Sequence, residues 1–383
     1  MISPKIFYEF LKKEGIEFFT GVPDSLLKEF CQYIEEKSSN ENHIIAANEG
    51  CSIGLATGYH LETGQIPLVY LQNSGLGNTI NPLMSLTDKE VYSIPLILLI
   101  GWRGEPGIKD EPQHIKQGRV TTRLLEALEI PFKVLNSSEK ESIEKTKWAI
   151  NTAKKSSSPV ALLVKKGSFE KCESNIIMKN ELTISREEVI SMIIKYSSNR
   201  TTFVSTTGMI SRELYEQRDI QNQDKSNDFL TVGSMGHASQ IALGIANINP
   251  SRKIICLDGD GALLMHLGGI TNIGTRNDID FFHILINNGA HDSVGGQPTV
   301  GKKVSLTKVA EACLYNNVIG PITEKEDIIK NIKKLSKLSG KRFLEIHVKK
   351  GARSNLGRPK ETPLENKFRF MNQLRKNQTT LNS

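Results

Sequence analysis

Short apolar runs alternate with amphipathic stretches along nearly the whole chain, and this alternation predicts a parallel α/β architecture. Most runs are followed by Gly, Asn, Asp or Ser, as is typical where a buried strand gives way to a loop or helix. The predicted strands are Glu17–Thr20, Ile44–Ala46, Leu68–Leu71, Leu96–Gly101, Phe132–Leu135 and Val160–Val164 in the first half, and Phe203–Ser205, Leu230–Val232, Lys253–Leu257, Phe281–Ile286 and Leu344–Val348 in the second.

A polar, weakly periodic segment separates the two halves. Residues 165–181 are rich in Lys, Glu, Asn and Ser, which is typical of an interdomain linker, and Ser185-Arg-Glu-Glu188 then fits a helix capping box. The length of 383 residues suits two domains with full cores. We therefore expect two related α/β domains, each a doubly wound parallel sheet: residues 1–167, a linker at 168–184, residues 185–360, and a polar C-terminal tail at 361–383.

Composition and charge exclude several classes of protein. The content of 38% hydrophobic and 24% charged residues is that of a soluble globular protein, and no apolar run approaches the roughly 20 residues of a membrane helix. The chain starts with an amphipathic pattern rather than a secretory signal, so we expect a cytoplasmic protein. Five scattered cysteines indicate neither a disulfide framework nor a zinc site. The net charge of +7 lacks the aromatic-interleaved basic stripe of a nucleic-acid-binding protein and suits an anionic cofactor and substrate.

The strongest chemical signal lies between two buried runs of the second half. The run Lys253–Leu257 leads into Asp258-Gly-Asp-Gly261, a helix is predicted from Ala262, and the run Phe281–Ile286 ends at Asn287-Asn288. Such a βαβ unit brings both strand ends to the same edge of the sheet.

Oxygen ligands suitable for Mg²⁺ follow these strand ends. Asp260 offers a carboxylate, Asn288 an amide oxygen, and the backbone carbonyl of Ala290 can complete the set. Gly259 and Gly261 allow the backbone to approach a phosphate, and the N-terminus of the following helix favours an anion. A lone Gly-Asp-Gly turn is common, so the prediction of a metal site depends on the Asn-Asn pair at this spacing.

The Gly259-Asp-Gly261 and Asn287-Asn288 pair resembles the fingerprint of thiamine-diphosphate-dependent enzymes. The resemblance implies thiamine diphosphate and Mg²⁺ as cofactors, with Asp260, Asn288 and the Ala290 carbonyl as the metal ligands. It also implies a carboxylate beside the aminopyrimidine ring, and Glu49 fits because it lies at a predicted strand-to-helix junction. Without the resemblance, a different role accounts for Glu49 at least as well: that of an acidic residue in the first turn of a helix, where it complements the helix dipole.

Other turns resemble cofactor-contacting segments of this family. Met235 would support the thiazolium ring, although core packing is the alternative explanation. The remaining implied cofactor-binding residues are Asn73, Ser74, Thr206, Gly208, Gly233, Ser234, Gly236, His237 and Ala262. Since Glu49 and Asp260 belong to different predicted domains, the resemblance implies a homodimer or higher homo-oligomer with active sites at the subunit interface.

The chain has no room for a middle domain between the two, and in this it resembles the phosphonopyruvate decarboxylase family, with the sulfopyruvate decarboxylases as close kin. The resemblance covers nearly the whole chain and is most specific in residues 21–25, 110–114, 287–299 and 351–359. It implies non-oxidative decarboxylation of a small anionic 2-oxo acid, phosphonopyruvate first and sulfopyruvate second, in phosphonate biosynthesis.

Candidate residues for this reaction fall in the same segments. Besides Glu49, the implied catalytic residues are Asp24, His114, His291 and Asp292, for which turn and capping chemistry is the alternative. The implied substrate-binding residues are Ser25, Arg103, Lys109, Gln297, Arg353 and Arg358, although single surface cations are usually just solvated.

Three other functions stay open at this point. A nicotinamide oxidoreductase would need Gly-x-Gly-x-x-Gly after a strand, and residues 259–264 lack the third glycine. A non-catalytic subunit would lack Glu49 or Asp260, and both are present. Carboligation of the acetohydroxyacid synthase type is less favoured because that class has a middle domain.

Overall fold

The computed structural model describes residues 1–172 and 182–379, and the chain divides into two compact units, Met1–Met178 and Lys179–Ser383. Two residues at the ends of the predicted linker pack into these units. Phe169 is buried and stacks on Phe30 in unit 1, whereas the backbone of Ile184 bonds Lys349 in unit 2. Residues 173–181, at the centre of the predicted linker, lie outside the described residues.

Unit 1 is built on a six-stranded, all-parallel sheet in the order β2-β1-β3-β4-β6-β5. Its central strands are completely buried, as expected of a parallel sheet that is covered on both faces. The strands are β1 Phe19–Gly21, β2 His43–Ile45, β3 Leu68–Gln72, β4 Ile97–Gly101, β5 Phe132–Leu135 and β6 Val160–Val164. The helices are α1 Pro4–Lys13, α2 Lys28–Lys37, α3 Glu49–Thr63, α4 Leu76–Pro82, α5 Pro112–Ala127 and α6 Glu139–Ser156, with a 3₁₀ turn at Asn73–Gly75 and a π-helical segment at Leu83–Thr87.

Unit 2 has a second six-stranded parallel sheet, in the order β11-β12-β10-β9-β7-β8. Its strands are β7 Thr202–Ser205, β8 Asp228–Leu230, β9 Ile254–Gly259, β10 Phe281–Asn287, β11 Asn317–Ile322 and β12 Lys341–His347. Its helices are α7 Arg186–Tyr196, α8 Met209–Ile220, α9 Ala238–Ile248, α10 Asp260–Met265, α11 Gly269–Gly274, α12 Leu306–Ala312, α13 Lys325–Leu335 and α14 Pro363–Thr379.

The two sheets share one strand order. Counted from the first strand of each unit, both follow the sequence 2-1-3-4-6-5, which supports the expectation of two related domains. In each sheet the first and third strands are neighbours while the second strand lies on the outer side of the first. Chain connections diverge at that position, and in open α/β sheets the crevice at the carboxyl ends of such strands is where ligands bind.

Each sheet separates two hydrophobic clusters, one on each face. In unit 1, alternate residues of β3 and β4 serve the two clusters: Leu68 and Tyr70 contribute to one, Val69 and Leu71 to the other. In unit 2, Ile255 and Leu257 belong to one cluster, and Ile254 and Cys256 to the other. This alternation with period two is what a strand buried on both faces requires.

The structure corrects three predictions. The fifth strand of unit 2, β11, was not predicted because Asn317–Ile322 contains Gly320 and Pro321; it is an edge strand that pairs only with β12, where proline is tolerated. Helix α10 begins at Asp260 rather than Ala262, because β9 continues to Gly259 and leads directly into the helix.

The predicted C-terminal tail is largely a helix. Helix α14 packs Phe370 against Phe229 of β8. Asn366 donates to the carbonyl of Asp228 (3.0 Å) and accepts from the Leu230 N–H (3.2 Å). An apolar contact and an amide that bonds the edge of the sheet therefore fix this segment on β8.

Within the described parts of the chain, no helix combines the length and apolar character that a bilayer crossing requires.

Two helical glycines of unit 2 give a paired test of its packing. A Cβ at Gly274 would lie 1.4 Å from the carbonyl oxygen of Cys313, so we expect Gly274→Ala to destabilise unit 2 by about 1–3 kcal/mol through overpacking. Gly244 is exposed in α9 with open space around it, so Gly244→Ala should instead stabilise the helix by about 0.5–1 kcal/mol. Thermal unfolding shows whether each substitution lowers or raises the unfolding temperature. Equal changes of the unfolding temperature in both variants would contradict the close contact between Gly274 of α11 and the Cys313 carbonyl.

Candidate active site

The metal-ligand candidates of unit 2 lie together at the carboxyl ends of β9 and β10. The two strands are parallel neighbours with Gly259 opposite Ile286, so the residues that follow each strand emerge at one edge. The Asn288 N–H lies 3.4 Å from Oδ1 of Asp260, and the Ala290 N–H donates to Oδ1 of Asn288 (3.0 Å). A carboxylate, an amide oxygen and a nearby carbonyl make an oxygen donor set of the kind that Mg²⁺ takes.

The two aspartates of Asp258-Gly-Asp-Gly261 have different environments. Asp258 lies inside β9, where its carboxylate is 3.4 Å from Nε2 of His283 and accepts from the Gly259 N–H (3.0 Å). Asp260 is the first residue of α10, is 2% exposed, and accepts from the Thr299 hydroxyl. Burial raises the pKa of Asp260, with a further contribution from the charge of Asp292, and the hydrogen bonds that oppose this rise come from the Thr299 hydroxyl and from backbone N–H groups rather than from a cation.

His291 and Met235 both lie against Gly261. A Cβ at Gly261 would be 2.9 Å from Cε1 of His291 and 3.3 Å from Cε of Met235. Burial lowers the pKa of His291 to about 4, so its imidazole is neutral at pH 7. The structure therefore brings two residues predicted from separate segments to the same place.

The predicted diphosphate turn follows β7, at the position where the chain connections diverge. Thr206 is 3% exposed, and within the described parts of the chain its buried hydroxyl has no hydrogen-bond partner, whereas the neighbouring Thr207 donates to the Val232 carbonyl (2.6 Å). Gly208 has φ +92° and caps α8. A buried hydroxyl without a partner is costly, so Thr206 is suited to a polar group that the chain itself does not supply.

The turn before α9 has unusual backbone geometry. Ser234 has φ +52° and Gly236 has φ +85°, so two residues of this turn are in the left-handed region, which glycine adopts readily but which is uncommon for serine. His237 is exposed, and its ring contacts that of His266 in a tilted arrangement, with centroids 4.5 Å apart and an interplanar angle of 55°. Ala262 is buried in α10.

In unit 1, Glu49 is the first residue of α3, after the cap that Asn48 provides. Glu49 is 6% exposed, and Asn78 Nδ2 donates to its Oε2 (2.7 Å). The turn after β3 closes over it, because a Cβ at Gly75 would lie 2.3 Å from Oε1. Burial raises the pKa of Glu49, opposed by the Asn78 hydrogen bond, so the carboxyl is suited to holding or sharing a proton.

Asp24, Ser25 and Arg103 form one cluster at the carboxyl edge of the same sheet. Gln72 donates to Asp24 (2.6 Å), as does the Leu26 N–H (2.9 Å), and burial nevertheless raises the Asp24 pKa. Arg103 donates to Ser25 Oγ (2.8 Å) and makes a bidentate pair with Asp110 (2.8 and 2.5 Å). Arg103 therefore already has a carboxylate partner within unit 1.

His114 borders this cluster. Its Nδ1 is buried without a hydrogen-bond partner, and burial, with the charge of Arg103, lowers its pKa to about 4. Asn73 is buried and tied by its amide to the Arg103 backbone and to Thr121, so its contacts hold the strand ends together. Ser74 and Lys109 are exposed.

The predicted substrate-binding residues of unit 2 differ in their burial and in whether their side chains are already paired. Gln297 is 5% exposed with both amide atoms lacking a partner, whereas Arg353 is paired with Glu187 and Glu216. Arg358 is exposed. Gln297 is thus the one of these three whose side chain is buried and unsatisfied.

Several neighbours of these residues were missed by the sequence analysis. Asn78 touches Glu49, Gln72 touches Asp24, Asp110 holds Arg103, Thr299 touches Asp260, and Arg186 bonds Asp292. Asp110 and Thr299 fall in segments that resemble the family (residues 110–114 and 287–299), and this resemblance could have identified them. The others are polar residues in ordinary helical or strand-end contexts, and nothing local marks them.

Two family models match the chain. The one described as "Thiamine pyrophosphate enzyme, N-terminal TPP binding domain" matches residues 4–123, and "Thiamine pyrophosphate enzyme, C-terminal TPP binding domain" matches residues 206–347. The chain belongs to the thiamine pyrophosphate enzymes. This family member therefore carries both halves of a thiamine pyrophosphate site, and its two sheets are those of the two TPP-binding domains.

Curated relatives match this thiamine pyrophosphate enzyme over nearly its full length. A phosphonopyruvate decarboxylase from Streptomyces viridochromogenes is 30% identical over 93% of this chain and 91% of its own. Another from Streptomyces hygroscopicus is 29% identical over 97% and 93%. A sulfopyruvate decarboxylase from Methanosarcina acetivorans is 27% identical over 90% of both chains.

The residues of unit 2 fit a diphosphate and a divalent cation. The unsatisfied Thr206 hydroxyl and the buried, uncompensated Asp260 carboxylate are the kinds of group that such ligands satisfy. The candidate donor set of this thiamine pyrophosphate enzyme (Asp260, Asn288 and the Ala290 carbonyl) is all oxygen, the kind of set that suits Mg²⁺ rather than a softer metal.

The environment of His114 predicts how stability depends on pH. Because its pKa is near 4 in the folded state and near 6.5 when unfolded, the unfolded chain binds the proton more readily between these values. Stability should therefore fall as pH drops from about 6.5 to about 4, and His114→Asn should fall less steeply. Unfolding midpoints across this range measure the slope, with His60→Asn, at a half-buried histidine on α3, as the control. A His114→Asn variant that follows the wild type at every pH would show that this histidine is not the cause.

Proposed function

We propose that the protein decarboxylates phosphonopyruvate to phosphonoacetaldehyde and CO₂, using thiamine diphosphate and Mg²⁺. The similarity to two phosphonopyruvate decarboxylases over more than nine-tenths of each chain is the observation that supports this substrate. Sulfopyruvate is the second candidate, favoured by the relative that is 27% identical. A function in phosphonate biosynthesis and a cytoplasmic location belong to the same proposal.

Unit 2 would hold the metal and the diphosphate. Asp260, Asn288 and the Ala290 carbonyl would bind Mg²⁺, and the turns around Thr206 and Gly259 would receive the diphosphate. The buried Asp260 has the most to gain, because a divalent cation compensates a charge that burial otherwise disfavours. When bound, thiamine diphosphate supplies the electron sink for the electrons that the departing carboxylate leaves behind.

Unit 1 would supply the proton chemistry. Glu49 would lie beside the aminopyrimidine ring, where burial favours the protonated form that a ring nitrogen can bond. Asp24 is completely buried, and its raised pKa makes it our first candidate to donate the proton that replaces the departing carboxylate. His114 would stay neutral at pH 7 and act as a hydrogen-bonding group.

The substrate anion needs hydrogen-bond donors of both kinds, charged and neutral. Arg103 and Ser25 would bind it in unit 1, with Asp110 fixing the plane of the guanidinium. In unit 2, the buried and unsatisfied amide of Gln297 is the best candidate. Arg353 is a weaker one, because Glu187 and Glu216 already balance its charge.

A parallel assay of three 2-oxo acids tests the proposed substrate. We expect the purified protein to release CO₂ fastest from phosphonopyruvate, more slowly from sulfopyruvate and least from pyruvate, and only with thiamine diphosphate and Mg²⁺ present. The physical reason is that a second anionic group offers Arg103 and its neighbours a charge to bind, which pyruvate lacks. Faster turnover of sulfopyruvate would replace the proposed substrate with the second candidate. Equal turnover of pyruvate would remove both.

We further propose that the enzyme is at least a homodimer whose active sites lie between subunits. Glu49 belongs to unit 1 and Asp260 to unit 2, and both are required for one site under this proposal. Glu49→Gln should retain cofactor binding but lose about 10²- to 10⁴-fold in turnover, the usual range for a proton-transfer group. Asp260→Ala should lose Mg²⁺ and cofactor uptake.

Mixed dimers of these two variants test the proposed arrangement. If each site combines Glu49 of one chain with Asp260 of the other, a mixed dimer has one intact site and one doubly altered site. Co-expression of differently tagged Glu49→Gln and Asp260→Ala chains should then restore activity to about a quarter of wild type when chains pair at random. Each variant alone is the control. Mixed dimers that remain inactive would place both residues of a site in the same chain.

A further inference from the structure

Unit 2 contains a buried cation that the proposed reaction does not use. Arg186 is the first residue of α7 and is 5% exposed. Its Nε and Nη2 donate to both carboxylate oxygens of Glu213 on α8 (2.8 and 3.0 Å), and its Nη1 donates to Oδ2 of Asp292 (3.0 Å). One guanidinium therefore joins two helices to the loop that follows β10.

Asp292 accepts hydrogen bonds from three donors in different parts of unit 2. Besides Arg186, its Oδ2 accepts from Asn288 Nδ2 (2.6 Å) and from the Gly351 N–H (3.0 Å). The side chain is 7% exposed, so the carboxylate itself is largely shielded from solvent although Gly351 is exposed. The carboxylate is consequently a fixed acceptor at the centre of the loop.

A fixed acceptor decides which end of the Asn288 amide points where. An ionised carboxylate has no hydrogen to donate, so the amide must turn its NH₂ group toward Asp292. Its oxygen is then left on the other side, where it accepts from the Ala290 N–H (3.0 Å). The backbone N–H of Asn288 lies 3.4 Å from Oδ1 of Asp260, so both candidate metal ligands belong to the same small region. In the reverse orientation the amide oxygen of Asn288 would face the carboxylate oxygen of Asp292, and the NH₂ group would face the cation.

We propose that Arg186 and Asp292 are positioning residues that lock the Asn288 amide with its oxygen toward Mg²⁺ and so set the affinity for the metal. This inference rests on the proposed function of Asp260 and Asn288. Asp292 acts here through Asn288, as carboxylates beside metal ligands often do, and not as the proton donor that its segment suggested.

The same contacts extend to the segment 351–357. Glu187, next to Arg186, pairs with Arg353, and Glu216, one turn after Glu213, accepts from the Gly357 N–H (2.6 Å). Together with the Gly351–Asp292 bond, these contacts attach the segment 351–357 and the loop after β10 to the start of α7 and to one face of α8. The loop that carries Asn288 is therefore held from two sides.

The test measures Mg²⁺ affinity directly, by calorimetric titration of the full chain with Mg²⁺ at saturating thiamine diphosphate. We expect Asp292→Asn to raise the Kd for Mg²⁺ by about 10- to 100-fold, the usual effect of removing a partner of a metal ligand. An asparagine at 292 keeps the volume but can both donate and accept, so it no longer fixes the amide. Turnover of this variant should recover when Mg²⁺ is raised to saturation. Arg186→Met should raise the Kd in the same direction.

A matched control is available within unit 2. Arg218 makes an equally buried bidentate pair with Asp228 (2.9 and 2.8 Å), between α8 and β8. Asp228→Asn and Arg218→Met should lower the unfolding temperature as the test variants do, yet leave the Kd for Mg²⁺ unchanged. If Arg186→Met does not fold, the isosteric Asp292→Asn decides the outcome.

Three results would overturn the inference. One is an Asp292→Asn protein with wild-type Mg²⁺ affinity. Another is turnover that stays low at saturating Mg²⁺, which would make Asp292 a catalytic residue. The third is an equal loss of affinity in the Asp228→Asn control, which would reduce the effect to general destabilisation. A wild-type protein that takes up no Mg²⁺ would refute the proposed function as well, and thereby separates the two failures.

Discussion

The parallel pairing of β9 with β10 is the interaction on which the candidate site depends. Its register sets Gly259 beside Ile286, and both strands are buried along their length except at the half-buried Gly259 that ends β9. A shift of one residue would turn every side chain of the strand to the opposite face, which the two hydrophobic clusters forbid. The positions of Asp260 and Asn288 are therefore consequences of core packing, and the site inherits its geometry from the sheet.

Buried carboxylates in this protein fall into two kinds. Glu213 and Asp228 are each paired with an arginine, so their charges are compensated within the fold. Asp260 and Glu49 are just as buried but receive hydrogen bonds from neutral donors, Thr299 and Asn78 among them. Burial raises the pKa of all four carboxylates, but of these four Asp260 and Glu49 have no arginine partner among the described residues, so they gain most from a ligand that brings a proton or a metal.

The sequence predicted much of this arrangement, for reasons that can be stated. Buried parallel strands form continuous apolar runs, so eleven of the strands were found, most with ends displaced by one or two residues. Strand β11 was not found because a glycine and a proline interrupt its pattern. The spacing from Asp260 to Asn288 is local to one βαβ unit and was therefore visible.

Contacts between distant segments had no such signal. Arg186 and Asp292 are separated by 106 positions, and Asn78 and Glu49 by 29. Each of these side chains is ordinary in its own stretch of sequence. Only the folding of the sheet decides which helix end meets which loop, so residues that act through a neighbour could not be recognised beforehand.

The two outer strands of the second sheet have a consequence for association. At one border Asn366 of α14 already satisfies a backbone N–H and a backbone C=O of β8. At the other border Pro321 removes a donor from β11. Neither border offers an unbroken row of free peptide groups, so extension of this second sheet by another copy is disfavoured, and association through unit 2 would use helical or loop surfaces instead.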